Sequence, residues 1–236
     1  MPKTTQRTRL LLRWSVAMAL VLPGIVLAGG KATLVSSPDS MPMGEDSSGT
    51  MTITWENADT ARLDFGDPSH YLIARDGKTY TVSTEGGQTM VMDMASMGAM
   101  MQAMSAQGDK NKPFGQIHVV EDKKTTATVA DIKGQVYHLK WSEPDGNQKS
   151  GDAVLTDDPL VVEMTQAYFN AISTMVGSKQ MDDFLEALPQ KKRGILQMGE
   201  QFHVESIQKM DPPASTFELP AKPMNMQDLL KGKMPG

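Results

Sequence analysis

The sequence predicts an α+β domain in which one antiparallel sheet has its apolar face covered by two or three helices. Short segments that alternate apolar and polar residues follow one another in chain order, separated by Gly-bearing turns. Two segments with clear helix-start signals interrupt this series instead of alternating with its strands. A sheet with one apolar face and helices with one apolar stripe bury these surfaces against each other.

The strands begin with Met51-Thr52-Ile53-Thr54-Trp55, a faultless alternation, and continue after an Asn57 to Thr60 turn with Ala61-Arg62-Leu63-Asp64-Phe65. His70 to Ala74 and Thr79 to Ser83 flank Arg75-Asp76-Gly77-Lys78, where Asp-Gly supplies the positive φ angles of a tight hairpin. Gly86-Gly87 marks the next reversal, before a strand over Thr89 to Met92. Further strands are expected at Gln116 to Val120, Thr125 to Val129, Val136 to Trp141 and Asp152 to Leu155, with turns at Asp131 to Gly134 and Pro144 to Asn147. Closing strands are expected at Ile195 to Met198, Phe202 to Met210 and Thr216 to Leu219. Together these segments describe an antiparallel meander.

Among the helices, Asp93 is placed to cap one over Met94 to Ala106, where Met94, Met97, Met101 and Met104 form one stripe. Asp158-Pro159 opens the longest helix, with Asp at the cap and Pro at the first helical position, and Gly177 closes it. Its stripe is Leu160, Met164, Tyr168, Ile172 and Met175. A short helix over Met181 to Leu188 follows before Pro189.

Residues 1–28 read as a secretory signal. Lys3, Arg7, Arg9 and Arg13 precede the apolar run Trp14 to Leu27, and Val26-Leu27-Ala28 supplies the small-residue cleavage box. That run of 14 residues is short of the roughly 20 a spanning helix needs. Gly29 is therefore the expected mature start and the periplasm the expected compartment. Residues 29–48 are expected to be a flexible lead, 49–220 the folded domain and 221–236 a flexible tail. Loss of the signal takes the net charge from −5 to −9, which argues against nucleic acid and anionic membrane surfaces. The sequence has no cysteine, so the fold rests on its core.

No catalytic constellation emerges. There is no Gly-x-Ser-x-Gly elbow, no zinc-type histidine pair and no phosphate-cradling Gly loop. Asp157-Asp158 and Asp182-Asp183 suit helix starts, and Asp145-Gly146-Asn147 suits a turn. Lys191-Lys192-Arg193 suits a solvated loop, with transient contact to lipid headgroups as its alternative. The expectation is a non-enzymatic protein without a cofactor, and its oligomeric state stays open.

The hairpin Tyr71-Leu72-Ile73-Ala74-Arg75-Asp76-Gly77-Lys78-Thr79-Tyr80-Thr81-Val82, the following Val91-Met92-Asp93-Met94 and the closing Pro213-Ala214-Ser215-Thr216-Phe217-Glu218-Leu219-Pro220 together resemble the periplasmic lipoprotein-carrier superfamily, the LolA-like fold. The resemblance is nearest to a branch of small secreted domains of that shape and spans roughly Gly49 to Pro220. It implies a curved half-barrel sheet with helices as a lid over an apolar cavity for acyl chains. The methionine-rich helix is a departure from the lipoprotein carrier itself.

Between Met90 and Met104, seven of fifteen residues are methionine, with no histidine or cysteine among them. Three uses fit. The stripe is plain core, since Met buries about as well as Leu. It is an adaptable apolar wall, in which Met51, Ile53, Trp55, Leu63, Phe65, Met90, Met92, Met94, Met97, Met101 and Met104 line a site for a hydrophobic small molecule or a lipidated partner. Or the thioethers of Met90, Met92, Met94, Met97, Met101 and Met104 hold Cu(I) or Ag(I), with Met41-Pro42-Met43 and Met224-Asn225-Met226 as further chelating pairs.

Overall fold

The computed structural model describes residues 29–36, 49–96, 116–142, 147–176 and 178–224. The signal segment, the pair Met41-Pro42-Met43, the methionines Met97, Met101 and Met104, and the tail from Asn225 onward lie outside these residues. So does the helix expected beyond Ser96, of which Met94 to Ser96 are seen as a helical start.

Among the described residues, eleven strands form a single antiparallel sheet. In chain order they are β1 (Gly30–Ser36), β2 (Thr50–Asn57), β3 (Thr60–Asp64), β4 (His70–Arg75), β5 (Lys78–Glu85), β6 (Gln88–Asp93), β7 (Gln116–Val129), β8 (Ile132–Ser142), β9 (Gln148–Thr156), β10 (Gly194–Met198) and β11 (Phe202–Lys209). Two helices, α1 (Pro159–Val176) and α2 (Ser178–Ala187), are inserted between β9 and β10. The spatial order is β6-β5-β4-β3-β2-β1-β11-β10-β9-β8-β7. Two meanders are thus zipped together where β1 pairs with β11.

Gly30–Ser36 corrects the expectation of a flexible lead over 29–48: it is a central strand of the sheet. Lys31 to Val35 do alternate in burial, but the partner β11 lies far along the chain, so no local hairpin announces the strand. Gln116–Val129 is likewise one bent strand where two were expected. Lys124 takes a positive φ of 58° and the register with β8 slips between Asp122 and Thr126, so the apparent break is a bulge. The turn that follows is Ala130-Asp131, with φ of 48° and 62°, one position earlier than expected. The strand expected at Thr216 to Leu219 is instead a 3-10 turn, Ala214–Phe217.

The sheet curls. β7 returns into contact with β11, four places away in the strand order, and their apolar side chains join one core cluster with α1. The helix α1 occupies the concave side and touches β1 through β5 as well as β10. Asp158 caps it as expected, its Oδ1 accepting from the amides of Leu160 at 3.0 Å and Val161 at 3.3 Å. Its burial exceeds a single stripe: Val161, Glu163, Met164, Thr165, Ala167, Phe169, Ala171 and Ile172 are all buried, while Gln166 and Asn170 are exposed. Such a helix is enclosed rather than laid on a surface.

Three polar contacts fix α1 in place. Thr79 of β5 donates its hydroxyl to the Ala171 carbonyl at 3.0 Å. The Ile195 amide of β10 donates to Thr165 Oγ1 at 3.0 Å. Asn170 reaches the β2–β3 turn, donating to the Ala58 carbonyl at 2.9 Å.

The outer face carries a second, smaller core of Ile73, Tyr80, Val82 and Val91, packed under Tyr71, Leu219 and Ala221. The C-terminal segment is therefore a strap across β4 to β6. It ends in a parallel bridge between Met224 and Met92 on the edge strand β6. Residues 221–224 are accordingly engaged, where a flexible tail was expected to begin.

Candidate functional site

Strand register decides which residues share the concave face. Ala32, Ile53, Leu63, Leu72, Thr81 and Met92 stand opposite one another from β1 to β6, forming one row. The neighbouring row brings His70 opposite Ser83 and Ser83 opposite Met90. Side chains two apart on a strand point the same way. The sequence-predicted residues Met51, Ile53, Trp55, Leu63, Met90 and Met92 therefore lie on one face, with Phe65 just past the end of β3.

Among the described residues, these side chains do not gather around one open cavity. Met51, Ile53, Trp55 and Leu63 are buried core residues in the cluster that holds α1, and Phe65 packs half-buried against it. The space expected for a ligand there is filled by the helix. A cavity lined by Leu34, Met164, Tyr168, Phe169, Ile195 and Phe202 measures about 10 Å³, room for one water and not for an acyl chain.

The rim of the face is different. Met90 is exposed at 36 %, and Met92, Thr81, Ser83 and His70 are half-buried. Among the described residues none of Met90, Met92 and Met94 joins a core cluster, although Met94, just past the end of β6, is buried. Beside them the strap places Met224 in register with Met92, its amide donating to the Val91 carbonyl at 2.8 Å. Paired residues of a ladder project to the same side, so Met90, Met92 and Met224 gather on one side of one sheet edge.

His70 was not legible as part of this rim, because only the β4–β5–β6 register connects it to Met90. Its Nδ1 lies 2.8 Å from Asp67 Oδ2. That hydrogen bond, with another from the Ser69 amide, holds the Asp67 carboxyl below the ordinary carboxylate range. The other histidines stand elsewhere: His138 against Asp152 at 2.9 Å, His118 against Ser142, and His203 exposed on β11. His118 is exposed and Ser142 half-buried, and they form a surface pair.

A buried carboxyl sits deeper. Glu163 on α1 is 4 % exposed, and its Oε1 and the Trp55 Nε1 are buried without a well-aligned hydrogen bond among the described residues. Desolvation pushes the Glu163 carboxyl above its usual range, outweighing the opposing pull of the Trp55 N–H and the more distant Lys209 ammonium. Burial likewise pushes the Tyr168 hydroxyl up to about 12. Among the described residues no group of three or more His, Cys, Asp or Glu side chains gathers as a metal centre. Comparison with protein-family models, curated proteins and solved structures finds no match for this chain.

Proposed function

We propose that this chain is a periplasmic, non-enzymatic binding domain of the LolA-like type that holds a hydrophobic ligand, a lipid or acyl chain, at the methionine rim of its concave face. The observation that carries this reading is the exposure of Met90 beside half-buried Met92 on the face whose other apolar side chains are covered by α1. Flexible thioethers repack around ligands of differing shape. The curled antiparallel sheet with a helix in its concavity agrees with the architecture that the resemblance implies. A lipidated protein presenting its acyl chain is the matching partner.

The small cavity moves the ligand from beneath α1 to the rim, because three hydrogen bonds hold that helix down. Displacement of a fluorescent fatty acid tests the reading. The parent binds, and Met90→Lys with Met92→Lys weakens binding at least tenfold, about 1.4 kcal/mol. A folded parent without acyl affinity contradicts it. The filled concavity then favours the second reading, an envelope scaffold that uses its core only for stability.

A further inference from the structure

We propose that Met90 is a site of reversible oxidation to methionine sulfoxide by a peroxide, and that the added oxygen turns the apolar rim polar without unfolding the domain. The consequence for ligand binding rests on the acyl reading above, whereas the modification itself does not.

Access singles this residue out. Among the described residues Met90 is the large apolar side chain that stands exposed. Met51, Met94, Met164 and Met181 are buried, and Met92, Met198, Met210 and Met224 are half-buried. Met90 lies on the β5–β6 hairpin, where Glu85 to Thr89 are exposed with it. A thioether has no proton to lose, so exposure governs how readily an oxidant reaches its sulfur.

The step balances with the oxidant alone. A sulfur lone pair of Met90 attacks one oxygen of hydrogen peroxide, the S–O bond forms as the O–O bond breaks, and the departing hydroxide takes the remaining proton to leave as water. Sulfur loses two electrons and the peroxide gains them. Sulfoxide reductases reverse the change, the oxygen leaving as water while two thiols become a disulfide.

The surroundings of Met90 make the product a switch and not a lesion. Ser83 stands directly opposite it in the β5–β6 ladder, and side chains so paired lie about 5 Å apart at Cβ. A sulfoxide oxygen on Met90 therefore meets water on one side and a hydroxyl across the ladder, and is not left as an unsatisfied acceptor. At the buried Met51 or Met164 the same oxygen would be shut away from water among apolar side chains, at the cost of the core. What Met90 loses on oxidation is the apolar surface that a hydrocarbon ligand covers.

The test is graded oxidation of the full chain with hydrogen peroxide, followed on the same samples by peptide mass spectrometry, urea unfolding and displacement of the fluorescent fatty acid. The proposal expects one oxygen on Met90 at least about tenfold sooner than on Met92, Met198, Met210 or Met224. Protein oxidised at Met90 keeps the urea midpoint of the untreated chain and binds the fatty acid about three- to tenfold more weakly. Incubation with sulfoxide reductases and dithiothreitol restores both the mass and the affinity. In Met90→Leu the loss on oxidation disappears, and Met90→Gln, which carries a polar oxygen without treatment, binds as weakly as the oxidised parent. Oxidation of Met92 or Met198 ahead of Met90 overturns the proposal, as does unfolding that tracks Met90 oxidation or a loss of affinity that persists in Met90→Leu. A folded parent without acyl affinity overturns the acyl reading instead, and the order of oxidation with the urea midpoint then decides the modification by itself.

Discussion

Met224 and Met92 stand opposite each other in a parallel bridge at the edge of the sheet, with the Asp93 amide donating back to the Met224 carbonyl at 3.5 Å. This contact places a further stretch of chain along β6, which otherwise ends that side of the sheet. Uncovered edges invite pairing with other chains, so the strap protects the fold as well as completing the rim. Arg75 anchors it, donating from Nη1 to the Phe217 carbonyl at 3.1 Å.

Phe217 is buried at 4 % exposure, although the strap around it crosses the outer face. Phe217→Ala is expected to cost about 3 kcal/mol in urea unfolding. A change within the roughly 0.5 kcal/mol typical of surface substitutions would show that the strap lies loosely on the sheet.

Gly30 stands opposite Trp55 in the β1–β2 ladder, and a Cβ added there would fall on the indole ring. Trp55 is fully buried and cannot yield without disturbing α1. Gly30→Ala should therefore destabilise the protein by about 2 kcal/mol, read from the shift in denaturation midpoint. Gly77, with open space around its Cβ position but φ of 70°, gives a different cost on the same substitution, one of backbone strain alone.

Burial raises the Glu163 carboxyl, so the folded state holds that proton more tightly than the unfolded chain does. The associated stability is fully present below the unfolded pKa and is lost as pH rises through the elevated folded value. Glu163→Gln imitates the protonated form. The variant should match the parent near pH 4 and exceed it at pH 7, by on the order of 1 kcal/mol. A stability difference that stays constant from pH 4 to pH 8 contradicts this assignment.

Hairpins were readable because their turns are local chemistry. Asp76-Gly77 and Gly86-Gly87 both take positive φ at each position, as tight reversals require. Asp158-Pro159 announced α1 for the same reason, since the cap accepts amides only two and three residues away. Features set by distant pairing were not readable. β1 owes its place to β11, and His70 joins Met90 only through two ladders. Thr216 to Leu219 alternates like a strand, but Pro212, Pro213 and Pro220 lack the amide donors a ladder needs, and the segment turns instead. The shared face of Met51, Ile53, Trp55 and Leu63 was legible from alternation, whereas its occupation by α1 was not, because α1 is apolar beyond the single stripe read from spacing.

The proposed binding at the rim is tested most directly by cross-linking with a fatty acid carrying a diazirine at mid-chain, followed by mass-spectrometric mapping of the adducts. Adducts on His70, Ser83, Met90 and Met92, suppressed by excess fatty acid, are the predicted result. Adducts on Leu34, Tyr168 or Phe202 would place the ligand beneath α1 and contradict the account, and a folded chain that takes up no label at all would leave the filled scaffold in its place.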